Sequence, residues 1–341
     1  MKNIDKIKRY GSINGLRVLA CICIVLMHVR SNLGHSLSGQ IPNTIIKEFS
    51  NFVFLFMIIS AFGMCCGYFN KIRKNEINPE QFYSKRILKL LPFFLFLVLI
   101  DIVNERSVQS VIEGFTDSTL LFGFIQKDIT VVGVGWFIGL IFVFYLMFPY
   151  FTYLFSNKKR AWFTTIIAIL MNYACVYYFN VGRTNMFYSF IYFCIGGLVY
   201  LYKDDIAKLF SKNRIIGIVF IILSIVAYYF IPLKNEYLML VRVTLLSISL
   251  LCYAISYKSI LLDNKITKFI GDISFEIYLS HMMIFRVVEK FKLSIFLNNN
   301  WLLYIVTTII VIVGSIVLSI VFKKVYSLIE KKVHKNENTI S

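Results

Sequence analysis

The sequence predicts an all-α fold, a polytopic helix bundle that spans a membrane. Of the 341 residues, 58% are hydrophobic and only 16% are charged. A soluble domain carries closer to a quarter of charged residues, because its surface must be hydrated. Apolar runs of about twenty residues recur from end to end, and each can cross roughly 30 Å of hydrocarbon. Backbone amides cannot stay unpaired in lipid, so these runs are expected to be helices.

The apolar runs predict about ten transmembrane helices. They are expected at 13–30, 49–69, 86–103, 132–155, 161–179, 186–202, 214–232, 238–256, 268–288 and 302–322. Residues 107–125 mix apolar and polar side chains and are predicted to form an interfacial helix. No spacer rich in Pro, Gly or Ser separates the runs, so residues 1–329 are expected to form one membrane domain. A short polar tail at 330–341 is predicted to be disordered.

The distribution of charge predicts how the bundle is oriented. The formal net charge is +18, but the basic residues lie in short clusters between the apolar runs. This arrangement lacks the stacking aromatics of a nucleic-acid surface, so no nucleic-acid partner is expected. On the ten-helix plan, 25 of the 36 basic residues lie on one side and eight on the other. Because cytosolic loops collect Lys and Arg, both termini are predicted to be cytosolic.

The seven cysteines predict neither a metal site nor a disulfide framework. All of them fall inside apolar runs and without metal-ligand spacing, so they are interpreted as small buried hydrophobic residues. The first apolar run contains Arg17 and no cleavage site. It is therefore expected to be a retained helix rather than a signal peptide.

The first predicted helix contains two residues that are costly in a membrane span, Arg17 and His28. They are eleven positions apart, which on a helix is three turns plus about 20° and a rise of about 16 Å. Both side chains therefore lie on one stripe. A guanidinium binds phosphate or carboxylate in a bidentate manner, and an imidazole can act as a general base. The alternative is that Arg17 snorkels to lipid phosphates and His28 makes one interhelical hydrogen bond.

Five segments, taken in order, resemble the membrane acyltransferase-3 family of bacterial multi-pass O-acyltransferases. In that family an arginine and a histidine separated by ten residues lie in a first helix that opens much like residues 14–20, as Arg17 and His28 do here. The other similar segments are 54–62, 82–92, 136–149 and 271–281. The resemblance therefore covers nearly the whole chain.

The chain departs from the family pattern at several positions. Ala61 replaces a glycine of an aromatic-rich Ser-Gly-Phe segment. Ile141 and Phe142 occupy the positions where many members carry a glutamate, so a mechanism that needs this carboxylate is not carried over. The family's Arg-x-x-Arg pair is represented by Arg86 and Lys89. Lysine keeps the charge but lacks the planar fork of arginine.

The resemblance implies transfer of an acyl group, most often acetyl, from cytosolic acyl-CoA to a carbohydrate hydroxyl. The acceptor would be a surface polysaccharide or a lipid-linked glycan precursor, and the enzyme would lie in the bacterial cell membrane. Arg17, Arg86 and Lys89 would bind the anionic part of acyl-CoA, which is a substrate rather than a bound cofactor. His28 would act beside Arg17 as general base or as a transient acyl carrier; the residues do not separate these two roles.

Two residues of the last similar segment are further candidates to line the site, Tyr278 and His281. Tyr278 is one helical turn before His281 and is its nearest neighbour on the helix. A structural hydrogen bond is the alternative role for His281. Arg242 and Arg286 lie in predicted spans. One role for them is to contact the acceptor glycan. The alternative is that they snorkel to the interface or form an ion pair, as Arg286 can with Glu289.

The main alternative function is a transporter or flippase for a lipid-linked saccharide. Such proteins commonly contain internal repeats and paired broken helices. The sequence shows no convincing repeat, and it therefore favours an enzyme.

Overall fold

The computed structural model describes residues 10–34, 37–124, 133–211, 213–230 and 236–340, and the side chains of these ranges except those of 211, 236 and 331–340. Within these ranges the chain is helical and contains no strand. This confirms the predicted all-α class.

Fourteen α-helices lie in the described ranges. They are α1 Ser12–Asn32, α2 Phe52–Met64, α3 Asn70–Arg73, α4 Pro79–Glu105, α5 Val108–Ser118, α6 Trp136–Leu154, α7 Lys158–Tyr177, α8 Met186–Leu201, α9 Lys203–Ser211, α10 Arg214–Phe230, α11 Glu236–Ser256, α12 Lys265–Asp272, α13 Ser274–Lys290 and α14 Asn300–Ile340. Helical turns on both sides of α2 extend it and join it to α3, so that one long helix covers Ile41–Arg73.

Six of the described helices are long and apolar enough to cross a membrane. They are Ser12–Asn32, Ile41–Arg73, Pro79–Glu105, Trp136–Leu154, Tyr237–Ser256 and Asn300–Glu330. A seventh crossing results if α8 and the first residues of α9, which meet at a bend of 66°, form one span. α10 is also apolar but shorter. The chain is thus a multi-pass membrane protein, and each of the ten predicted ranges overlaps at least one described helix.

The structure divides one predicted span into two helices. Residues 268–288 were expected to form a single helix, but α12 ends at Asp272 and α13 begins at Ser274. α12 starts with a capping box in which Asn264 and Thr267 exchange side-chain and backbone hydrogen bonds. At the break, the Ser274 hydroxyl donates to the Gly271 carbonyl at 2.9 Å. Asp272 at the end of α12 and Glu276 in the first turn of α13 both line the site described below.

The last helix, α14, continues to Ile340. Lys and Glu have good helix propensity, and no Pro or Gly interrupts residues 330–340. The boundary of the membrane domain at residue 329 stays a prediction.

Close helix contacts fix the centre of the bundle, where α1 packs against α2, α11, α12, α13 and α14. Gly196 on α8 lies against α2, because an added Cβ would be 2.3 Å from the Ile58 carbonyl oxygen and 2.7 Å from the Ala61 Cβ. Gly15 on α1 likewise lies against Leu262, to whose carbonyl its N–H donates at 3.1 Å. These contacts hold α1 in register with the segment before α12.

Candidate active site

A cavity of about 470 Å³ lies between α1, α2, α4, α6 and the α12–α13 break. We call it the cationic cavity. Three basic side chains predicted from the sequence line it together: Arg17, Arg86 and Lys89. It is also lined by Phe56, Ser60, Gly63, Met64, Leu90, Phe137, Ile141, Tyr145, Gly271, Asp272, Ser274, Phe275, Glu276 and Tyr278.

Arg17 is oriented by a hydrogen bond within its own helix turn and faces α2. Its Nη1 donates to the Asn14 side-chain oxygen at 3.2 Å. Its Nη2 lies against Gly63, since a Cβ there would be at van der Waals distance, 3.4 Å from this nitrogen. Asp272 interacts electrostatically with the same guanidinium. Most of the planar N–H fork remains available to a ligand in the cavity.

Arg86 is held by aromatic rings rather than by a carboxylate. Its guanidinium carbon is 4.3 Å from the ring centre of Tyr68 and 5.7 Å from that of Tyr145. Such cation–π contacts orient a guanidinium without neutralising it. In the part of the chain that the structure describes, the buried Nε of Arg86 has no hydrogen-bond partner. A ligand oxygen would satisfy this donor.

One of the cavity's two carboxylates is already neutralised. Glu276 forms an ion pair of 2.9 Å with Lys323 of α14, and Lys323 also donates to the Asp272 carbonyl at 3.0 Å. The three cations of the cavity therefore outnumber the carboxylate left to balance them. This charge balance suits an anionic ligand such as a phosphate. Across the described ranges, no group of three or more His, Cys, Asp and Glu side chains could hold a metal ion.

His28 does not line the cationic cavity but lies beyond it, beside a second histidine. The ring centres of His28 and His281 are 5.2 Å apart. His281 is fully buried, and its Nδ1 is 2.5 Å from the backbone oxygen of Tyr278. A carbonyl only accepts hydrogen bonds, so Nδ1 carries the proton and Nε2 keeps its lone pair. Among the described residues this Nε2 has no hydrogen-bond partner.

Three aromatic rings in mutual contact line the cationic cavity, and one of them adjoins His281. Tyr278 lines the cavity, and its ring centre is 5.9 Å from that of His281. Its hydroxyl donates to the Val134 carbonyl at 3.0 Å. The Phe137 and Phe56 rings pack on Tyr278 at 5.3 Å and 6.2 Å. We call these three rings the aromatic partition. Of the two further candidates, Tyr278 lines the cationic cavity and His281 does not.

The sequence did not single out Arg183, which lies in the loop between α7 and α8. Its guanidinium is 5.6 Å from the ring centre of Trp136, and its Nη1 donates to the Ser50 carbonyl at 3.3 Å. It interacts electrostatically with both His28 and Tyr278. In the sequence, Arg183 is one of the eight basic residues on the less basic side of the bundle. Helical periodicity could not show that it faces the interior, because it lies in a loop.

Arg183 also lines a second cavity, of about 440 Å³, at the other end of α2. We call it the loop cavity. Its lining consists of Lys47, Glu48, Ser50, Asn51, Phe54, Val176, Asn180, Val181, Gly182, Arg183, Tyr188 and Met239. Ser50 and Met64, which line the two different cavities, are fourteen residues apart. That spacing is about 20 Å along a helix axis.

Two other arginines predicted within spans have structural partners. Arg286 forms an ion pair of 3.1 Å with the buried Asp101 of α4. The structure thus pairs it with Asp101 rather than with Glu289. Arg242 is buried, with its guanidinium carbon 4.8 Å from the ring centre of Tyr228. Neither arginine lines the two cavities.

The fold and the cavity together define a multi-pass helical membrane protein whose site suits an anionic ligand. The family model described as an acyltransferase domain matches residues 10–320. The chain therefore belongs to the acyltransferase-3 family, as the resemblance in its motifs predicted. This membership indicates an enzyme that transfers acyl groups. No curated protein and no solved structure matches the chain.

Proposed function

We propose that the protein transfers an acetyl group from acyl-CoA to a carbohydrate hydroxyl at a bacterial cell membrane. The acceptor is a surface polysaccharide or a lipid-linked glycan precursor. The observation that carries this proposal is the cationic cavity, whose lining residue Tyr278 contacts His281, and His281 in turn lies beside His28. Acyl-CoA has the matching form: an anionic nucleotide end, a long arm and a reactive thioester.

The bundle has ten crossings and cytosolic termini in this proposal. Arg17, near the start of α1, then lies toward the cytosol, where acyl-CoA is available. The loop cavity faces the opposite side. Arg17, Arg86 and Lys89 hold the phosphates of the donor, and its arm extends along α1 toward the aromatic partition. The axial distance of about 16 Å between Arg17 and His28 supports a position of the thioester near the imidazole.

The reaction uses His28 as general base. His28 accepts the proton of the acceptor hydroxyl, whose oxygen attacks the carbonyl carbon of the thioester. The carbon–sulfur bond breaks, and the leaving thiolate takes the proton back from the imidazolium. His281 supports this step because its Nδ1 proton is fixed on the Tyr278 carbonyl, which leaves Nε2 to accept an N–H from His28. A covalent acetyl-imidazole on His28 is the second route, and it predicts a burst of bound acetyl without acceptor.

A transfer assay tests the proposed function. Purified protein in lipid nanodiscs is incubated with radiolabelled acetyl-CoA and fractionated cell glycans. We expect label in a glycan fraction with the wild-type protein. A transporter or flippase would give no label in any fraction, and that result would overturn the proposal. Retention of labelled acetyl on the protein without acceptor identifies the covalent route.

A further inference from the structure

Acyl transfer needs a place for a second substrate, and the loop cavity has the lining for one. We propose that the loop cavity binds the acceptor saccharide and that this saccharide carries an anionic group, a carboxylate or a phosphate, bound by Arg183 and Lys47. The inference rests on the proposed function and adds to it the chemical class of the acceptor.

The charges in the loop cavity favour an anionic ligand. Glu48 is its carboxylate, and this group already accepts hydrogen bonds from Asn51 at 2.9 Å and Tyr228 at 3.2 Å. Neither Lys47 nor Arg183 forms an ion pair within the described residues. Arg183 uses Nη1 for the Ser50 carbonyl, and its remaining N–H groups can form the paired contact that a carboxylate or phosphate accepts.

The position of Arg183 is fixed before any ligand binds. Its backbone carbonyl accepts a hydrogen bond of 2.8 Å from Ser189, which is fully buried. Tyr188 precedes Ser189 in the chain, and its carbonyl accepts a hydrogen bond of 2.8 Å from the buried Asn172 of α7. The stacking of the Arg183 guanidinium on Trp136 adds a third constraint. A preorganised loop loses little conformational entropy on binding, as a substrate site requires.

Arg183 relates the loop cavity to His28. Phe54 and Phe56 are two residues apart on α2 and project from nearly opposite faces of that helix, Phe54 to the loop cavity and Phe56 to the cationic cavity. Arg183 interacts electrostatically with His28. An acceptor bound through Arg183 thus reaches the imidazole from one side, and the thioester reaches it from the other. This arrangement separates the two substrates until they meet at the base.

The test compares acceptors of matched size and different charge. Wild-type protein in nanodiscs is assayed with labelled acetyl-CoA and with methyl glucoside, methyl glucuronide or glucose 1-phosphate. We expect a KM for one or both anionic acceptors at least tenfold below that for the neutral glucoside. Arg183→Ala should raise this KM by roughly 10- to 100-fold, the value of a lost charge-assisted contact. The KM for acetyl-CoA should stay unchanged, and Arg183→Lys should recover part of the loss.

Two controls separate this inference from the proposed function. Lys290→Ala removes an exposed cation outside both cavities and should match the wild type. Equilibrium binding of labelled methyl glucuronide and glucose 1-phosphate is measured without acetyl-CoA. If the wild-type protein binds an anionic sugar and Arg183→Ala abolishes this binding, the site is supported even where no transfer occurs. The absence of transfer then counts against the proposed function alone. Equal KM values for the three acceptors, or anion binding that survives Arg183→Ala, would overturn the inference. The acceptor with the lower KM, methyl glucuronide or glucose 1-phosphate, shows whether the natural acceptor carries a uronic acid or a sugar phosphate.

Discussion

Among the individual residues, His28 carries the chemistry of the proposed function. His28→Gln should retain expression and acetyl-CoA binding but lose about 10²–10⁴-fold in turnover, the usual scale of general-base catalysis. Glutamine can replace one hydrogen bond of the imidazole, but it cannot accept a proton at neutral pH. The measurement is the acetyl content of surface glycan in cells that rely on the variant at normal membrane abundance. Wild-type acetyl content in these cells would remove His28 from the catalytic role.

His281 is expected to act on His28 rather than on the substrate. An asparagine at this position can keep a donor near the place of Nδ1 and so preserve the bond to the Tyr278 carbonyl, but it removes Nε2. His281→Asn should therefore fold normally and lower kcat by up to about 100-fold, the cost of a misplaced catalytic group. The KM for acetyl-CoA should not change. Full activity in His281→Asn would show that the backbone hydrogen bond is the whole role of this residue.

Arg17 is expected to dominate the binding of the donor. Arg17→Ala should weaken acetyl-CoA binding by roughly 10- to 100-fold, as expected for loss of a charge-assisted bidentate contact. Arg17→Lys should lose less, since the charge survives. Arg86→Ala should have a smaller effect than Arg17→Ala, because Arg86 is one of several cations in the cavity. The measurement is equilibrium binding of labelled acetyl-CoA, and unchanged affinity in Arg17→Ala would contradict the assignment.

For the helices, the close approach of α2 and α8 at Gly196 is the feature most open to test. A methyl group at Gly196 would meet the Ile58 carbonyl oxygen at 2.3 Å, so the two helices must separate to accept it. Gly196→Ala should destabilise the protein by about 1–3 kcal/mol, the usual cost of overpacking. Gly67→Ala is the matched control, because a Cβ there meets nothing within 4 Å.

The measurement is thermal unfolding in detergent. We expect a lower Tm for Gly196→Ala and an equal or slightly higher Tm for Gly67→Ala, since alanine favours a helix over glycine. Equal Tm values for the two variants would mean that α2 and α8 are not packed as closely as described. The same contact accommodates Ala61, which stands where the family has a glycine, because the facing α8 supplies glycine instead.

The orientation of the whole bundle is tested by cysteine labelling in intact cells and inverted vesicles. Asn75→Cys and Lys158→Cys should react only from the cytosolic side, and Gln40→Cys and Asn299→Cys only from outside. All four positions are exposed. Six of the seven native cysteines are buried and should give little background. Reversed labelling at any one of the four sites would contradict ten crossings with cytosolic termini.

The sequence by itself determined the membrane class, the helical fold and the family. Hydrocarbon length and backbone pairing leave helices as the only structure for long apolar runs, so composition alone predicts them. It also predicted that Arg17 and His28 share a stripe of one helix, because helical periodicity is a local property. The resemblance to the family, rather than periodicity, marked Arg86 and Lys89 as residues that act together with Arg17.

Tertiary structure decided how these residues meet. His28 and His281 are 253 positions apart, and only the packing of α1 against α13 brings their rings together. The break between α12 and α13 was missed because the predicted span is continuous in hydropathy, whereas the break depends on capping and on hydrogen bonds to other segments. Arg183 lines the loop cavity because the loop between α7 and α8 holds it beside Trp136. Contacts between segments distant in the chain leave no period in the sequence, so the second cavity and the pair of histidines belong to the fold alone.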